Sequence, residues 1–255
     1  MPWFEVHICN YLGGGLNRAL LREIGQHYPL SFHGVNLNLG GMERLDGDYL
    51  RRLRRAVDDL QPALVSEHAC FCAHDGQYFH DLMPVPFTEE AVRHMGARIR
   101  QVQDSLGRRI LIENISRYYI YADSTLSEAE FLSALVQETG CGLLLDLNNA
   151  WVNHCNLGEN LWQFVRDLPL HSIGELHLGG FSVQGDWLID SHDNEPCEEV
   201  WHFFASFCEL QPDIPCLIEW DSGLPPLTRL LELQHRAQEM LDQTVASIPA
   251  LAETA

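Results

Sequence analysis

No run of apolar residues in this chain approaches the roughly 18 that a membrane-crossing helix requires, so a membrane partner has no basis in the sequence. Basic residues are scarce: 16 Lys and Arg stand against 36 Asp and Glu, a formal charge of -20. Unassisted nucleic-acid binding needs cationic surface to replace counterions, and the charge argues against that class. The acidic balance suits a site that collects cations, or a basic partner, although solubility alone also accounts for it. No CxxC pair occurs among the 8 cysteines, and the Cys70-Phe71-Cys72 spacing is a poor one for zinc. No secretory signal heads the sequence, so the expectation is a cytoplasmic protein with reduced thiols. Neither a linker nor a composition break divides the 255 residues, and one domain over 1–255 is expected.

What is present is an alternation. Gly142 to Asn149 (GLLLDLNN) runs four apolar residues into Asp146, with Asn149 three further on. Such a run reads as a strand buried on both faces, ending in an acidic group. Similar segments are Phe4 to His7, Leu30 to His33, Ala63 to His68, Arg109 to Asn114, Ser172 to Gly180 and Cys216 to Asp221. Helical spacing or capping signals mark Asn17 to Tyr28, Glu43 to Leu60, Thr88 to Leu106, Ser127 to Thr139, Asn160 to Leu168, Glu198 to Leu210 and Leu227 to Leu241. Three loops remain: the long Ala69 to Phe87, Ala150 to Gly158, and Phe181 to Asn194. The tail to Ala255 has no clear role. Strand–helix alternation predicts a parallel sheet with right-handed crossovers. Seven units are visible where a closed (β/α)8 barrel needs eight, so the expectation is that one strand and its helix are missing before Met1.

A barrel gathers its strand tips at one face. Here six tips offer His33, His68, Glu113, Asp146, His177 and Glu219, and the loop pair Asp190 and His192 reaches the same mouth. Three imidazoles and three carboxylates, with an Asp-x-His besides, exceed what one ion holds. Carboxylates bridge ions readily, so a cluster of two or three metals follows; the oxygen and nitrogen donors suit iron, zinc or manganese. A lone His or Asp at a strand end is more often a cap or a satisfied core residue. His7, His74, His80 and His154 are read that way. So is Glu67, which points away from the face of His68 unless a bulge intervenes. Glu175 is expected to hold the second ring nitrogen of His177.

Read with their neighbours, these tips resemble the DUF692 (UPF0276) family of multinuclear non-heme iron-dependent oxidative enzymes. The resemblance is carried by WFEVH at Trp3, SFHGV at Ser31, SEH at Ser66, HDLMPVPFTEEA at His80, RRILIEN at Arg108, GCGLLLDLNN at Gly140, IGELHLGG at Ile173, LIDSHD at Leu188 and LIEWD at Leu217. It implies a TIM barrel of the xylose-isomerase-like type. It also implies one iron on His33, His68 and Glu113, a second sharing Glu113 with Asp146, His177 and Glu219, and a third on Asn149, Asp190 and His192. DNA-repair endonucleases of that superfamily hold three zincs in a similar plan, with His where this chain has Asn149. Two departures stand out. Family members usually begin with a Gly-rich strand and helix ahead of the WFEVH segment. Phe181 also stands where a His is common after the His177 strand.

The activity so implied is oxidation, with O2, of a Cys (in some members an Asp or Asn) in a ribosomally made precursor peptide, usually with a partner protein that recognises the peptide. None of the cysteines belongs to the donor set, so the sulfur is expected from substrate. Two rivals share the scaffold: a zinc or manganese hydrolase or isomerase, and a non-catalytic metal-binding remnant.

Overall fold

The computed structural model describes residues 2–247, apart from the side chains of His80 and Ser247; Met1 and the tail beyond lie outside the described residues. In chain order the elements are β1 (Phe4–His7), α1 (Gly15–Gly25), β2 (Leu30–Gly34), α2 (Gly47–Leu60), β3 (Leu64–His68), β4 (Cys70–His74), β5 (Gln77–Pro84), α3 (Glu89–Leu106), β6 (Leu111–Glu113), α4 (Glu128–Thr139) and β7 (Gly142–Asp146). There follow α5 (Leu147–Leu157), α6 (Leu161–Asp167), β8 (Ile173–Leu178), β9 (Phe181–Gln184), β10 (Trp187–Asp190), α7 (Glu198–Cys208), β11 (Cys216–Ile218) and α8 (Leu227–Ser247).

Seven strands pair in parallel in the order β1-β2-β3-β6-β7-β8-β11 and form a nearly closed barrel, with helices in the crossovers. Among the described residues β1 and β11 each pair on one side only, which leaves a seam between them. The strands are apolar because both faces are covered: every residue of β2 and β7 is buried. Capping sets where the outer helices start. Asp46 accepts from the amides of Asp48 and Tyr49 at α2, Thr88 from that of Ala91 at α3, and Ser127 with Glu130 forms a reciprocal box at α4. Each such cap is worth about 1 kcal/mol.

Three segments read as loops carry structure. Within Ala69 to Phe87, β4 and β5 form an antiparallel hairpin turning at Asp75-Gly76, both at positive φ. Within Phe181 to Asn194, β9 and β10 do the same around Gly185, at φ 63°. The Ala150 to Gly158 loop is instead most of α5, which begins at once after β7, so Asn149 sits in a first helical turn rather than on a strand. The last helix runs on past Leu241 to Ser247.

Candidate metal centre

The barrel registers bring the predicted tips together. His33 lies opposite Ser66, His68 opposite Glu113, and Asp146 opposite His177. His33 Nε2, His68 Nε2 and Glu113 Oε2 stand 3.1–3.2 Å from one another. The other oxygen of Glu113 faces His177 Nδ1 at 3.8 Å, and that nitrogen is 2.8 Å from Glu219 Oε2. Glu113 therefore serves two groups with its two oxygens. His192 extends the array: Nδ1 is 3.4 Å from Glu219 Oε2, and Nε2 is 2.7 Å from Asp190 Oδ1 and 3.7 Å from Asp146 Oδ2. Asn149 lines the same cavity as Asp190 and His192. Seven of the nine candidates line one mouth, a cavity of 480 Å³, and the other two, Asp146 and His177, are fully buried beside Glu113, Glu219 and His192.

Local structure aims these groups. His68 Nδ1 is 3.0 Å from the carbonyl of Gly34, which can only accept, so Nδ1 carries a proton and Nε2 points inward. Ser66 Oγ donates to the Phe32 carbonyl and stands 2.7 Å from His33 Nδ1, which orients that ring likewise. Asp146 caps α5: one carboxylate oxygen accepts from the Asn149 amide at 2.6 Å, and the other is buried without a partner. His192 is held at φ 44° by its amide to Gly180 O and by the Asp221 amide on its carbonyl. Left-handed backbone at a non-glycine residue is the kind of strain kept at functional sites. Its ring packs on Gly179, where a Cβ would fall 2.6 Å from His192 Cδ2, and this accounts for the first glycine of LGGF.

The electrostatics suit cations. Glu113 Oε2, Asp146 Oδ2, Asn149 Oδ1 and His192 Nε2 are buried with no hydrogen-bond partner. Orphaned buried oxygens cost about 1–3 kcal/mol each unless something positive meets them. Burial raises Glu113 well above the usual carboxylate range and pushes Asp146 up to about 7. Burial opposes ionisation of Glu219 as well, but the His192 and His177 imidazoles overcome it and hold that group well below its ordinary value. Burial keeps His33 neutral, whereas His68, against the same desolvation, is raised to about 9 by Glu113 and Glu67. These residues fit divalent metals, which would displace the site's protons as they bind.

Residues read as inert are partly regrouped. His7 lines the mouth, its ring 5.5 Å from that of His33. Register was the signal: Glu5 lies opposite Ser31 and His7 opposite His33, so β1 shows the barrel interior the same face as β2. Beside the second nitrogen of His177 stands Glu5, not Glu175, with Oε1 3.2 Å from Nε2 though off the line of a good hydrogen bond. Glu175 meets Ser31 Oγ instead, and that hydroxyl also reaches Glu5. Glu67 turns away from the centre and accepts from the amides of Leu37 and His68. His74 is exposed beside Glu43, and His154 binds the Glu159 carbonyl. Replacing Glu5 by Ala should loosen the His177 ring and weaken metal binding at the group containing Asp146 by about 10–100-fold, with Gln recovering part. Chelator competition on the three proteins measures this.

Comparisons with known proteins agree with this architecture. A family model described as RiPP precursor modification enzyme MbnB/TglH/ChrH matches residues 1–242. A UPF0276 protein of Chromobacterium violaceum is 43% identical over 241 residues, covering 94% of this chain and 87% of that protein. One of Rhizobium meliloti is 41% identical over 252 residues, covering 96% and 82%. Among solved structures, a D-tagatose 3-epimerase-like protein is similar at TM-score 0.60 and 16% identity, over 95% of this chain and 90% of that one. Endonuclease IV of Thermus thermophilus is similar at TM-score 0.54 and 19% identity, over 87% and 80%. At such identities the likeness is one of fold, the xylose-isomerase-like TIM barrel.

Proposed function

Because the chain belongs to the MbnB/TglH/ChrH family of RiPP precursor modification enzymes, we propose that it is a multinuclear iron-dependent oxidase. It modifies a residue, in the first instance a Cys, of a ribosomally synthesised precursor peptide, with O2 as oxidant. The observation that carries this reading is the shared carboxylate of Glu113 between two donor groups with unsatisfied buried oxygens. His33, His68 and Glu113 would hold one iron. Glu113, Asp146, His177 and Glu219 would hold a second, and Asn149, Asp190 and His192 a third. Bound iron supplies the electron-transfer and O2 chemistry that side chains lack.

The chain's own residues do the rest. The mouth takes one side chain of an extended peptide, and the β4–β5 hairpin places Tyr78, Phe79, Asp81 and Leu82 along its wall. Cys72 lines the same wall, but burial pushes its thiol up to about 11, so it stays protonated beside the centre. This supports a substrate origin for the reacting sulfur. Asp81 and Asp221 at the rim favour a basic peptide, or a partner protein that presents one. All eight cysteines are free, in keeping with a cytoplasmic setting, and no helix among the described residues is long and apolar enough to cross a membrane.

The test is anaerobic purification and metal analysis, followed by O2 uptake and mass spectrometry with a Cys-containing precursor peptide. Bound iron, O2 consumption and an oxidative mass change on the peptide are expected. Absence of iron, or turnover that persists without O2, would instead assign the scaffold to zinc or manganese chemistry of the hydrolase or isomerase type.

A further inference from the structure

We propose that Tyr118 and Ser116 are positioning residues for the third donor group, and that their hydroxyls set Asp190 for its ion through a closed ring of hydrogen bonds. The inference rests on the metal reading above and adds to it two residues that would not themselves touch the ion.

The third group is not built as the others are. Asp190 ends β10, which lies outside the seven-stranded sheet and pairs only with β9 among the described residues. No barrel ladder therefore fixes that carboxylate against Glu113 or Asp146. The segment that continues β6 beyond Glu113 does so instead. The Asp190 amide donates to Tyr118 Oη at 3.1 Å, Tyr118 Oη stands 3.4 Å from Ser116 Oγ, and Ser116 Oγ donates to Asp190 Oδ2 at 3.3 Å. A serine has one hydroxyl proton, and here the carboxylate takes it, so the tyrosine O–H donates to Ser116. The ring thus leaves the backbone of Asp190 and returns to its side chain, holding one against the other. Oδ1 accepts from Asn148 Nδ2 at 2.8 Å and faces His192 Nε2 at 2.7 Å. An ionised carboxylate has about four lone-pair sites, so the bonds from Ser116 and Asn148 orient Asp190 without using it up.

The clamp is itself anchored. The buried Asn153 side chain accepts from the Arg117 amide at 2.6 Å and donates to the Ile115 carbonyl at 2.9 Å. The Asn114 side chain bonds both the amide and the carbonyl of Asp146. The Asn114 carbonyl accepts from Asn149 Nδ2 at 3.1 Å, which leaves Oδ1 of Asn149 as the buried atom without a partner. One short segment, directly following the Glu113 donor, therefore aims both the carboxamide and the carboxylate of the third group. Residues that orient a ligand in this way are worth about 10–100-fold in metal affinity.

The chain is loaded anaerobically with ferrous iron, with zinc in parallel, and bound ions are counted against graded chelator. Asp190→Ala, which removes the donor itself, marks the ion concerned. In Tyr118→Phe and in Ser116→Ala that ion should bind about 10–100-fold more weakly, with the others unchanged. Ser116→Thr keeps the hydroxyl and should hold the ion as the wild type does. Mössbauer spectra of the iron-loaded variants should show one component weakened or altered in quadrupole splitting and the rest as in the wild type. A residue that only stabilised the fold would not single out one ion. Wild-type retention in both hydroxyl-lacking variants, equal weakening of every ion, or a Thr variant as weak as the Ala variant overturns the inference and leaves the proposed function standing. A wild-type chain that takes up no ion dependent on Asp190 overturns the third donor group itself, so the two failures are distinct.

Discussion

Glu113→Gln should strip the protein of two ions, where loss of a donor confined to one group strips it of one. The carboxylate meets His33 and His68 with one oxygen and His177 with the other, and a carboxamide offers only one good donor atom and no charge. Loss of a partner that merely supports a ligand costs about 10–100-fold in affinity, and a bridging donor should exceed that at both positions. Metal analysis after equilibration in limiting chelator separates the cases. His68→Ala should lower the count by one, as should Asp146→Ala, whereas Glu113→Gln should lower it by two and abolish turnover of the peptide. Retention of a full complement by Glu113→Gln would break the shared-carboxylate reading on which the proposed chemistry depends.

Two of the candidate donors, Asp146 and Glu113, were legible in the sequence because each ends an apolar run, whereas His68 follows Ser66 and Glu67 and Asn149 lies in a helix. A buried parallel strand tolerates polarity only at its tip, so LLLD and LIE announce both the strand and the residue on the mouth. What stayed hidden follows from the same logic. His7 ends a four-residue strand with a weaker apolar signal, and only the β1–β2 register places it beside His33. The assignment of Glu175 to His177 used the two-residue period along one strand. The carboxylate beside that ring comes from β1, a neighbour in space that no spacing along the chain reveals.

The excursions above the barrel were misread for a different reason. The β4–β5 hairpin carries Asp-Gly at its turn and β9–β10 carries Gly-Asp, both recognised hairpin signals. Their strands alternate weakly and hold many polar residues, because each is a two-stranded ribbon over a wet mouth rather than part of the core. Helix α5 begins LNNAWVN, poor in strong helix formers. Tertiary contacts supply what propensity lacks: Asp146 caps it, and the buried Asn153 side chain bonds the backbone of Ile115 and Arg117. Of the asparagines that lower its helix propensity, Asn149 and Asn153 fix the loop after β6 against it, and Asn148 and Asn156 hold β10.

Freed of metal, the protein should melt at markedly lower temperature at pH 8 than at pH 5. Burial raises Asp146 from 3.8 to about 7 and Glu175 from 4.5 to about 8. Between each pair of values the folded chain holds a proton that the unfolded chain has released, so stability falls as pH rises through the interval. His68 adds to the trend: Glu113 raises it to about 9 despite burial, and the stability this gives is complete below 6.5 and gone above 9. Two groups run the other way. Glu219 has a lowered value that acts only below 4.5, outside the window. His33, which burial keeps neutral, gains up to pH 6.5, but His177 and His192, raised against burial by neighbouring carboxylates, both lose stability above 6.5 and outweigh it. At about 1.4 kcal/mol per unit, Asp146 alone removes roughly 3 kcal/mol between pH 5 and about 7, which for a chain of this size corresponds to on the order of 10 °C. Metal reverses the slope, since it takes these groups in their deprotonated forms and binds more tightly as pH rises. Thermal melts with and without chelator across pH 5 to 8 should therefore diverge with increasing pH, and Glu175→Gln should flatten the metal-free curve. A metal-free protein whose melting temperature is level across that range would mean that the buried carboxylates are compensated by something other than the protons they hold.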